Sequence, residues 1–394
     1  MNRFLIFFAV FGTVLLTGYL YIAMRISQSF QISGIPKFAL FTFLGILAVL
    51  TPASYGLSFY EVDPAKEKTL VLIAFSSFGF FTIAVSLFAG FDILSWILSK
   101  TPFLENTFSG TKELHQDYQI SRKEMFDQFF RTSALVLSAG LAGYGLKKVS
   151  DGPKVYTVKI PLEGLPDSLK GFRIVQISDV HIGPTLKKDF AKEITEKVNS
   201  LSPDMIAITG DLVDGSVERL RNEVIPFADL NSKYGTFFCT GNHEYFSGAL
   251  SWIHFLKSIG IKVLMNSNEI ISHNGYNIMV AGIPDPVGGG AHPDHRIHMQ
   301  KTCRTDRDCT VRILLAHQPK QVVHAVESGF HLQLSGHTHG GQYFPGTPLI
   351  YLVQKYVKGL HKVEDTWLYV NRGTGYWGPP FRTVDQEITV IELI

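Results

Sequence analysis

Three long stretches without a charged residue lie near the start of the chain, at residues 4–24, 38–60 and 69–91. A helix of about 20 apolar residues spans the hydrocarbon core of a bilayer. Backbone groups in lipid must pair within the same segment, so such stretches become helices. The pattern therefore predicts three membrane spans, and Asp92, directly after the third, is interpreted as an interfacial residue rather than a buried functional carboxylate.

A fourth apolar stretch, residues 132–146, is shorter and rich in small side chains. It predicts a short fourth span, with a packed interfacial helix as the alternative. The preceding residues 121–126 resemble a degenerate twin-arginine export signal. Counts of basic residues tie between the two possible orientations, and the export resemblance favours a C-terminal part outside the cytoplasm. We expect a multi-pass protein of a bacterial inner or plasma membrane.

Composition divides the chain into the same two parts. The first 100 residues hold ten charged residues, and of 14 histidines only His115 precedes residue 150. This excludes a simple soluble enzyme, and the hydrophobic content of 46% excludes a disordered chain. The net charge of +2 gives no electrostatic reason to expect nucleic acid as a partner. We predict a transmembrane region at residues 1–149 and a water-soluble domain at 150–394.

The second part alternates short β-branched stretches with amphipathic ones after a polar break at residues 150–153. Residues 187–200 have helical spacing. Helices between the early strands indicate an α/β domain. Strands are predicted at residues 155–160, 172–178, 205–209, 235–240, 277–281, 311–316, 331–335, 367–370 and 388–393.

Polar side chains follow five of these predicted strands directly. Loops at the carboxyl ends of parallel strands converge on one crevice, so we expect these side chains to meet. Glycines beside them permit tight turns. The residues concerned are Asp179 and His181, then Asp211 and Asp214, then Asn242 and His243, then His317, and finally His337 and His339.

Aspartate, histidine and asparagine offer oxygen and nitrogen ligands and no thiolate. Such a set suits Mn, Fe or Zn ions better than a structural zinc site. A carboxylate can bridge two cations, and two cations about 3.5–4 Å apart can hold a hydroxide and grip a phosphoryl group. Each motif is weak alone, but five in this order after strands point to a metal centre.

These motifs resemble the signature of the calcineurin-like metallophosphoesterases, over about residues 155–394. The order is Asp-x-His, Gly-Asp-x-x-Asp, Gly-Asn-His-Glu, a later histidine and Gly-His-x-His. The stretches at 161–166 and 372–380 are most similar to the membrane-associated bacterial branch and to transmembrane proteins with a metallophosphoesterase domain. The resemblance implies a fold of mixed α/β and α+β character, a four-layer α/β/β/α sandwich of two mixed sheets, here preceded by an all-α transmembrane region.

The resemblance also implies a role for each residue. Two divalent metal ions (Mn, Fe or Zn) would hold a hydroxide nucleophile. His243 would act as general acid or stabilise the phosphoryl oxygens, and Asp214 would orient it. The implied ligands are Asp179, His181 and His339 for one metal, Asn242, His317 and His337 for the second, and Asp211 as the bridge.

Other residues keep two interpretations each. Arg372 and Arg382 contact a substrate phosphate or are surface charges. The histidines at 292, 295 and 298 bind a third metal or belong to a solvated loop. Cys303 and Cys309 form a disulfide in an exported domain or are two free thiols.

The leading hypothesis is a membrane-anchored phosphohydrolase with two metals. It would cleave a phosphoester or pyrophosphate bond of a phosphorylated small molecule or lipid. A lipid-linked or envelope substrate is favoured, such as the UDP-2,3-diacylglucosamine that similar enzymes cleave. The alternatives are a membrane sensor or transport protein with a regulatory phosphoesterase domain, and a metal-binding module without turnover.

Overall fold

The computed structural model describes residues 2–57, 64–98 and 122–394. The chain divides into two compact units, residues 1–146 with 379–381, and residues 147–378 with 382–394. The division thus falls three residues before the boundary expected from the sequence. Residues 58–60 of the second predicted span lie outside the described residues, as does residue 121 of the signal-like segment.

Long helices occupy the N-terminal part of the described chain. Their bounds are α1 Asn2–Ser29, α2 Gly34–Leu57, α3 Pro64–Leu98 and α4 Arg122–Ser150. Three windows in α1, α2 and α3 are long and apolar enough to cross a membrane, at Ala9–Ser29, Gly34–Ser54 and Lys66–Ile97. Residues 132–146 do lie in a helix, α4, but it is not among these three described candidates, so its crossing stays a prediction.

Helices α1 and α3 make close contact through aromatic rings. Tyr19 and Phe81 stack with their ring centroids 4.4 Å apart. Gly18 is needed there, because a Cβ at this position would lie 2.5 Å from the Phe81 ring. Asp92 is partly buried and forms an ion pair with Arg25. The two charges therefore neutralise one another between α1 and α3, as expected for ionisable groups in apolar helices.

The second unit contains two six-stranded mixed sheets. The first sheet has the strand order β1-β12-β2-β3-β4-β5, and the second has the order β10-β11-β9-β8-β7-β6. The strands are β1 Lys154–Ile160, β2 Arg173–Ile177, β3 Met205–Ile208, β4 Thr236–Phe238, β5 Lys262–Val263, β6 Ser267–His273, β7 Tyr276–Gly282, β8 Val311–Leu315, β9 Leu332–Ser335, β10 Gly359–Val363, β11 Thr366–Val370 and β12 Glu387–Leu393.

Helices cover the outer faces of both sheets. Their bounds are α5 Lys188–Ser200, α6 Val217–Val224, α7 Asn242–Phe246, α8 Ala249–Ser258, α9 Gly288–Ala291, α10 Met299–Thr302, α11 Val322–Glu327 and α12 Gly346–Leu349. One apolar cluster joins the inner faces of the two sheets, with Met205 and Phe237 from the first and Ile313 from the second. A second cluster joins the first sheet to α5, α6 and α8. A third packs Ala325 of α11 on the second sheet. The order is thus α/β/β/α.

Parallel pairing brings the carboxyl ends of several strands to one edge. Strands β2 to β5 are parallel in the first sheet, and β7, β8, β9 and β11 are parallel in the second. Most of these parallel strands are buried on both faces and consist mainly of apolar residues, and the sequence pattern predicts all of them except β5. Strands β5, β6 and β10 were not predicted, because β5 has two residues and the other two mix polar with apolar side chains.

Candidate metal centre

The loops that follow β2, β3, β4, β8 and β9 carry all seven predicted metal ligands. Five of these ligands have a left-handed backbone, with φ between 50° and 73°: Asp179, His181, Asp211, His337 and His339. Non-glycine residues rarely adopt this conformation, and such strain concentrates at functional sites where the surrounding structure enforces it. The fold thus bends the loops after β2, β3 and β9 at the predicted ligands themselves.

A buried carboxylate that received no role from the sequence holds two of these loops together. Glu244 accepts hydrogen bonds from the backbone N–H groups of Gly241 at 2.6 Å, Asp211 at 3.0 Å and Leu212 at 2.7 Å. Burial, together with the charge of Asp211, raises the pKa of Glu244 to about 7. The fourth residue of Gly-Asn-His-Glu therefore fixes the loop after β3 against the start of α7.

The first ligand cluster consists of Asp179, His181 and His339, whose candidate ligand atoms all lie within 4.8 Å of one another. The Nε2 atoms of His181 and His339 are 3.1 Å apart. The Nε2 of His339 is 3.3 Å from Oδ1 of Asp179. The backbone N–H of His337 donates to both oxygens of Asp179 at 3.0 Å, which orients that carboxylate.

The second cluster consists of Asp211, His317 and His337. The Nε2 of His317 lies 3.0 Å from Oδ2 of Asp211, and its Nδ1 lies 2.7 Å from the backbone oxygen of Thr209. Asn242 begins α7, and its Oδ1 is buried without a hydrogen-bond partner. An unpaired buried amide oxygen is costly, so a cation ligand role fits this atom.

The protonation of the centre also suits cations. Burial lowers the pKa of His337 and of His339 to about 4, which leaves both imidazoles neutral, as metal ligands must be. Burial alone would raise the pKa of Asp211, but His317 and other nearby histidines outweigh it and hold the pKa to about 2. Two neutral imidazoles, an ionised carboxylate and an unpaired amide oxygen fit a divalent metal site. Burial alone would lower the pKa of His317, but Asp211 and other carboxylates raise it well above its usual value, so His317 has to lose a proton before it binds a cation.

Asp214, one of the two predicted catalytic residues, connects the other, His243, to the first cluster. Nδ1 of His243 lies 2.6 Å from Oδ1 of Asp214, as expected from the sequence. Nδ1 of His181 lies 3.1 Å from both oxygens of the same carboxylate, a contact that was not predicted. Burial would lower the pKa of His243, but Asp214 and Asp211 raise it to about 9. His243 therefore carries a proton beside the candidate metal ligands.

The two arginines considered for substrate binding are both engaged by the protein. The guanidinium of Arg372 pairs with Glu387, at 2.6 Å from Nε to Oε2, and lies over the ring of Tyr156. Arg382 is fully buried, so it is not a surface charge. It donates to the backbone oxygens of Gly375 at 2.6 Å and of His339 at 3.2 Å, and Nη1 lies 3.3 Å from Nδ1 of His339.

The remaining candidate residues lie elsewhere. Among the described residues, His292, His295 and His298 do not form a metal-ligand cluster. The hydroxyl of Tyr245 lies 2.9 Å from Nδ1 of His295, and Nδ1 of His298 accepts a hydrogen bond from the backbone of Lys301. Cys303 and Cys309 are free thiols in the structure.

A centre of this kind on a double-sheet scaffold defines the class of metal-dependent phosphoesterases. Residues 172–341 match the family model described as calcineurin-like phosphoesterase. The chain belongs to that family, because it also matches long relatives over most of their length.

One such relative is a transmembrane protein with metallophosphoesterase domain from Danio rerio. It is 34% identical to this chain, over 99% of this chain and 89% of the relative. An uncharacterized metallophosphoesterase from Helicobacter pylori is 33% identical, over 95% of each chain. A solved archaeal phosphodiesterase matches 56% of this chain and 99% of its own with 15% identity and a TM-score of 0.30, and carries no weight in the assignment.

Proposed function

We propose that this protein is a membrane-anchored phosphohydrolase that uses two divalent metals, Mn, Fe or Zn, at the two ligand clusters. The single observation that carries the proposal is the pairing of these clusters, Asp179-His181-His339 and Asp211-His317-His337, at one edge of the two sheets. Bound there, two cations would lower the pKa of water and draw charge from a phosphoryl group.

The chain's own residues supply the rest of the chemistry. The carboxylates of Asp211 and Asp179 bring negative charge to the candidate metal centre, and Asn242 offers a neutral oxygen. His243, protonated beside Asp214, would give its proton to the departing oxygen of the substrate. Asp214 would hold the imidazole ring in place through the 2.6 Å contact. Arg372 remains our proposed phosphate contact, since its side chain is only partly buried.

We further propose a lipid-linked or envelope substrate, with UDP-2,3-diacylglucosamine as one representative. The support is indirect: three apolar helices precede the phosphoesterase domain, and an anchored domain meets membrane-bound substrates. We place the protein in a bacterial inner or plasma membrane with this domain outside the cytoplasm. A reporter fused after Ile394 tests that orientation, and a cytoplasmic signal would contradict it.

A sensor or transport role gains no support from the described helices. The ion pair of Arg25 with Asp92, within the candidate spans, is explained by mutual neutralisation between α1 and α3. The phosphoesterase itself is tested with the purified full chain in detergent, reconstituted with Mn²⁺ and offered aryl phosphomonoesters and phosphodiesters. Asp211→Asn and His337→Ala should abolish turnover. Wild-type rates in both variants would refute the two-metal assignment.

A further inference from the structure

Two aromatic side chains lie against the ring of His243 and are open to solvent. The ring centroid of His243 is 5.6 Å from that of Phe246 and 5.5 Å from that of Trp377. Phe246 is 71% exposed and Trp377 is 46% exposed. Exposed apolar side chains that lie together mark ligand or interaction sites more often than single ones do, and these two flank the same imidazole, which we propose faces the departing group.

Both rings belong to segments that are joined to the candidate metal centre. Phe246 is the last residue of α7, which starts at the candidate ligand Asn242. The backbone N–H of Trp377 donates to the side chain of Gln342 at 3.1 Å, and the backbone oxygen of Trp377 accepts from the same amide at 2.9 Å. Gln342 follows the Gly-His-x-His motif by three residues, so the loop of Trp377 is tied to the metal centre.

We infer that Phe246 and Trp377 form a subsite for an apolar group carried on the leaving side of the substrate. The inference rests on the proposed role of His243 and extends it to specificity. A departing oxygen that takes a proton from His243 must lie beside that imidazole. The atoms attached to that oxygen then lie near both rings, because both rings contact the same imidazole.

The chemistry of the subsite selects the class of substrate. Aromatic faces bind apolar surface by removing it from water. Neither Phe246 nor Trp377 brings a charge to the leaving group. An acyl-bearing or aromatic alcohol therefore fits better than a bare sugar or glycerol. Acyl chains and aryl rings share this apolar character, and separate probes distinguish them.

The test uses the full chain in detergent with Mn²⁺ and a pair of probes with the same ester linkage. Phosphatidic acid in mixed micelles carries acyl chains on the leaving glycerol, and glycerol 3-phosphate does not. p-Nitrophenyl phosphate supplies the aryl arm. Phe246→Ala and Trp377→Ala are compared with Trp377→Phe and with Tyr276→Ala. Tyr276 is partly exposed but lies at the amino end of β7, away from the edge that carries the metal ligands.

We expect the two alanine variants to raise KM about tenfold for phosphatidic acid, for p-nitrophenyl phosphate, or for both, with kcat nearly unchanged. The probe that responds identifies acyl chains or aryl rings as the preferred group. The KM for glycerol 3-phosphate should change less than twofold in the alanine variants. Trp377→Phe should have a KM close to that of the wild type, and Tyr276→Ala should behave as wild type.

An equal rise in KM for all three probes, or no rise for any of them, would overturn the proposed subsite. Equal losses in kcat would instead give the rings a purely structural role in holding His243. The proposed function fails in a different way, because then the wild-type chain itself turns over none of the probes.

Discussion

Replacing Gly336 with alanine places a methyl group against the predicted metal ligand Asp179. Gly336 follows β9 and has an ordinary backbone conformation, so only the added atom matters. Its Cβ would lie 2.1 Å from Oδ2 of Asp179 and 2.0 Å from Oγ of Ser178. Real Cβ atoms are essentially never closer than 3.0 Å to such neighbours. Asp179 must therefore retreat by about 0.9 Å, as judged from those two distances.

The size of this displacement sets the expected loss. Metal–ligand distances tolerate about ±0.2 Å, so the first cluster should bind its metal poorly. A misplacement of about 1 Å in a catalytic group costs roughly 10²-fold in rate. Overpacking costs about 1–3 kcal/mol, which is less than the 5–15 kcal/mol of a typical fold. We therefore expect a folded variant that has lost metal and activity.

The assay measures metal content by mass spectrometry, turnover of an aryl phosphoester, and thermal unfolding of the full chain. Gly290→Ala is the matched control, because a Cβ there meets no atom within 4 Å. If Gly336→Ala alone does not fold, adding Ser178→Ala removes the 2.0 Å contact with Oγ and keeps the clash with Asp179. A folded Gly336→Ala variant with wild-type metal content and activity would refute the reasoning.

Three further predictions concern the same centre. Arg382→Met leaves several backbone oxygens unpaired, at about 1–3 kcal/mol each. It should therefore lower both the melting temperature and the affinity for metal, and Arg382→Lys should restore part of each. An unchanged metal affinity in titration calorimetry would contradict the link between Arg382 and His339. Asp214→Asn should lower kcat by about 10²–10⁴-fold through His243 and metal affinity by about 10–100-fold through His181. His243→Ala, the control, should retain its metal. A wild-type metal affinity in Asp214→Asn would show that the contact with His181 does not support metal binding. Chelation should lower the melting temperature by about 5–10 °C, since a metal at 100 times its Kd contributes about 2.7 kcal/mol; an unchanged melting curve in a chelator that removes all metal would contradict it.

Much of the centre follows from the sequence because its ligands stand directly after apolar strands. Strands β2, β3, β4, β8 and β9 are short and mainly apolar, and a predicted ligand follows the end of each within four residues. Parallel pairing then brings these ends together without further information. The local pattern thus contains both the position of each ligand and the reason that the ligands meet.

Contacts between distant loops are outside the reach of such a pattern. The pairing of Arg382 with His339 joins positions 43 residues apart, and nothing in the local spacing of either residue indicates it. The contact of Asp214 with His181 depends on the side-by-side placement of the loops after β2 and β3. Glu244 was part of a motif, but its three backbone partners appear only when the loops are folded.

The position of β12 has a consequence for how the protein is made. This strand lies between β1 and β2, yet it follows all the metal ligands along the chain. During translation, β1 and β2 leave the ribosome long before their common neighbour exists, and unpaired strand edges are prone to aggregation. The backbone N–H of Glu387 in β12 also bonds to the oxygen of Gly373, in the loop that contains Arg372. We therefore expect metal capture to wait until residues 387–393 have been synthesised and close the first sheet.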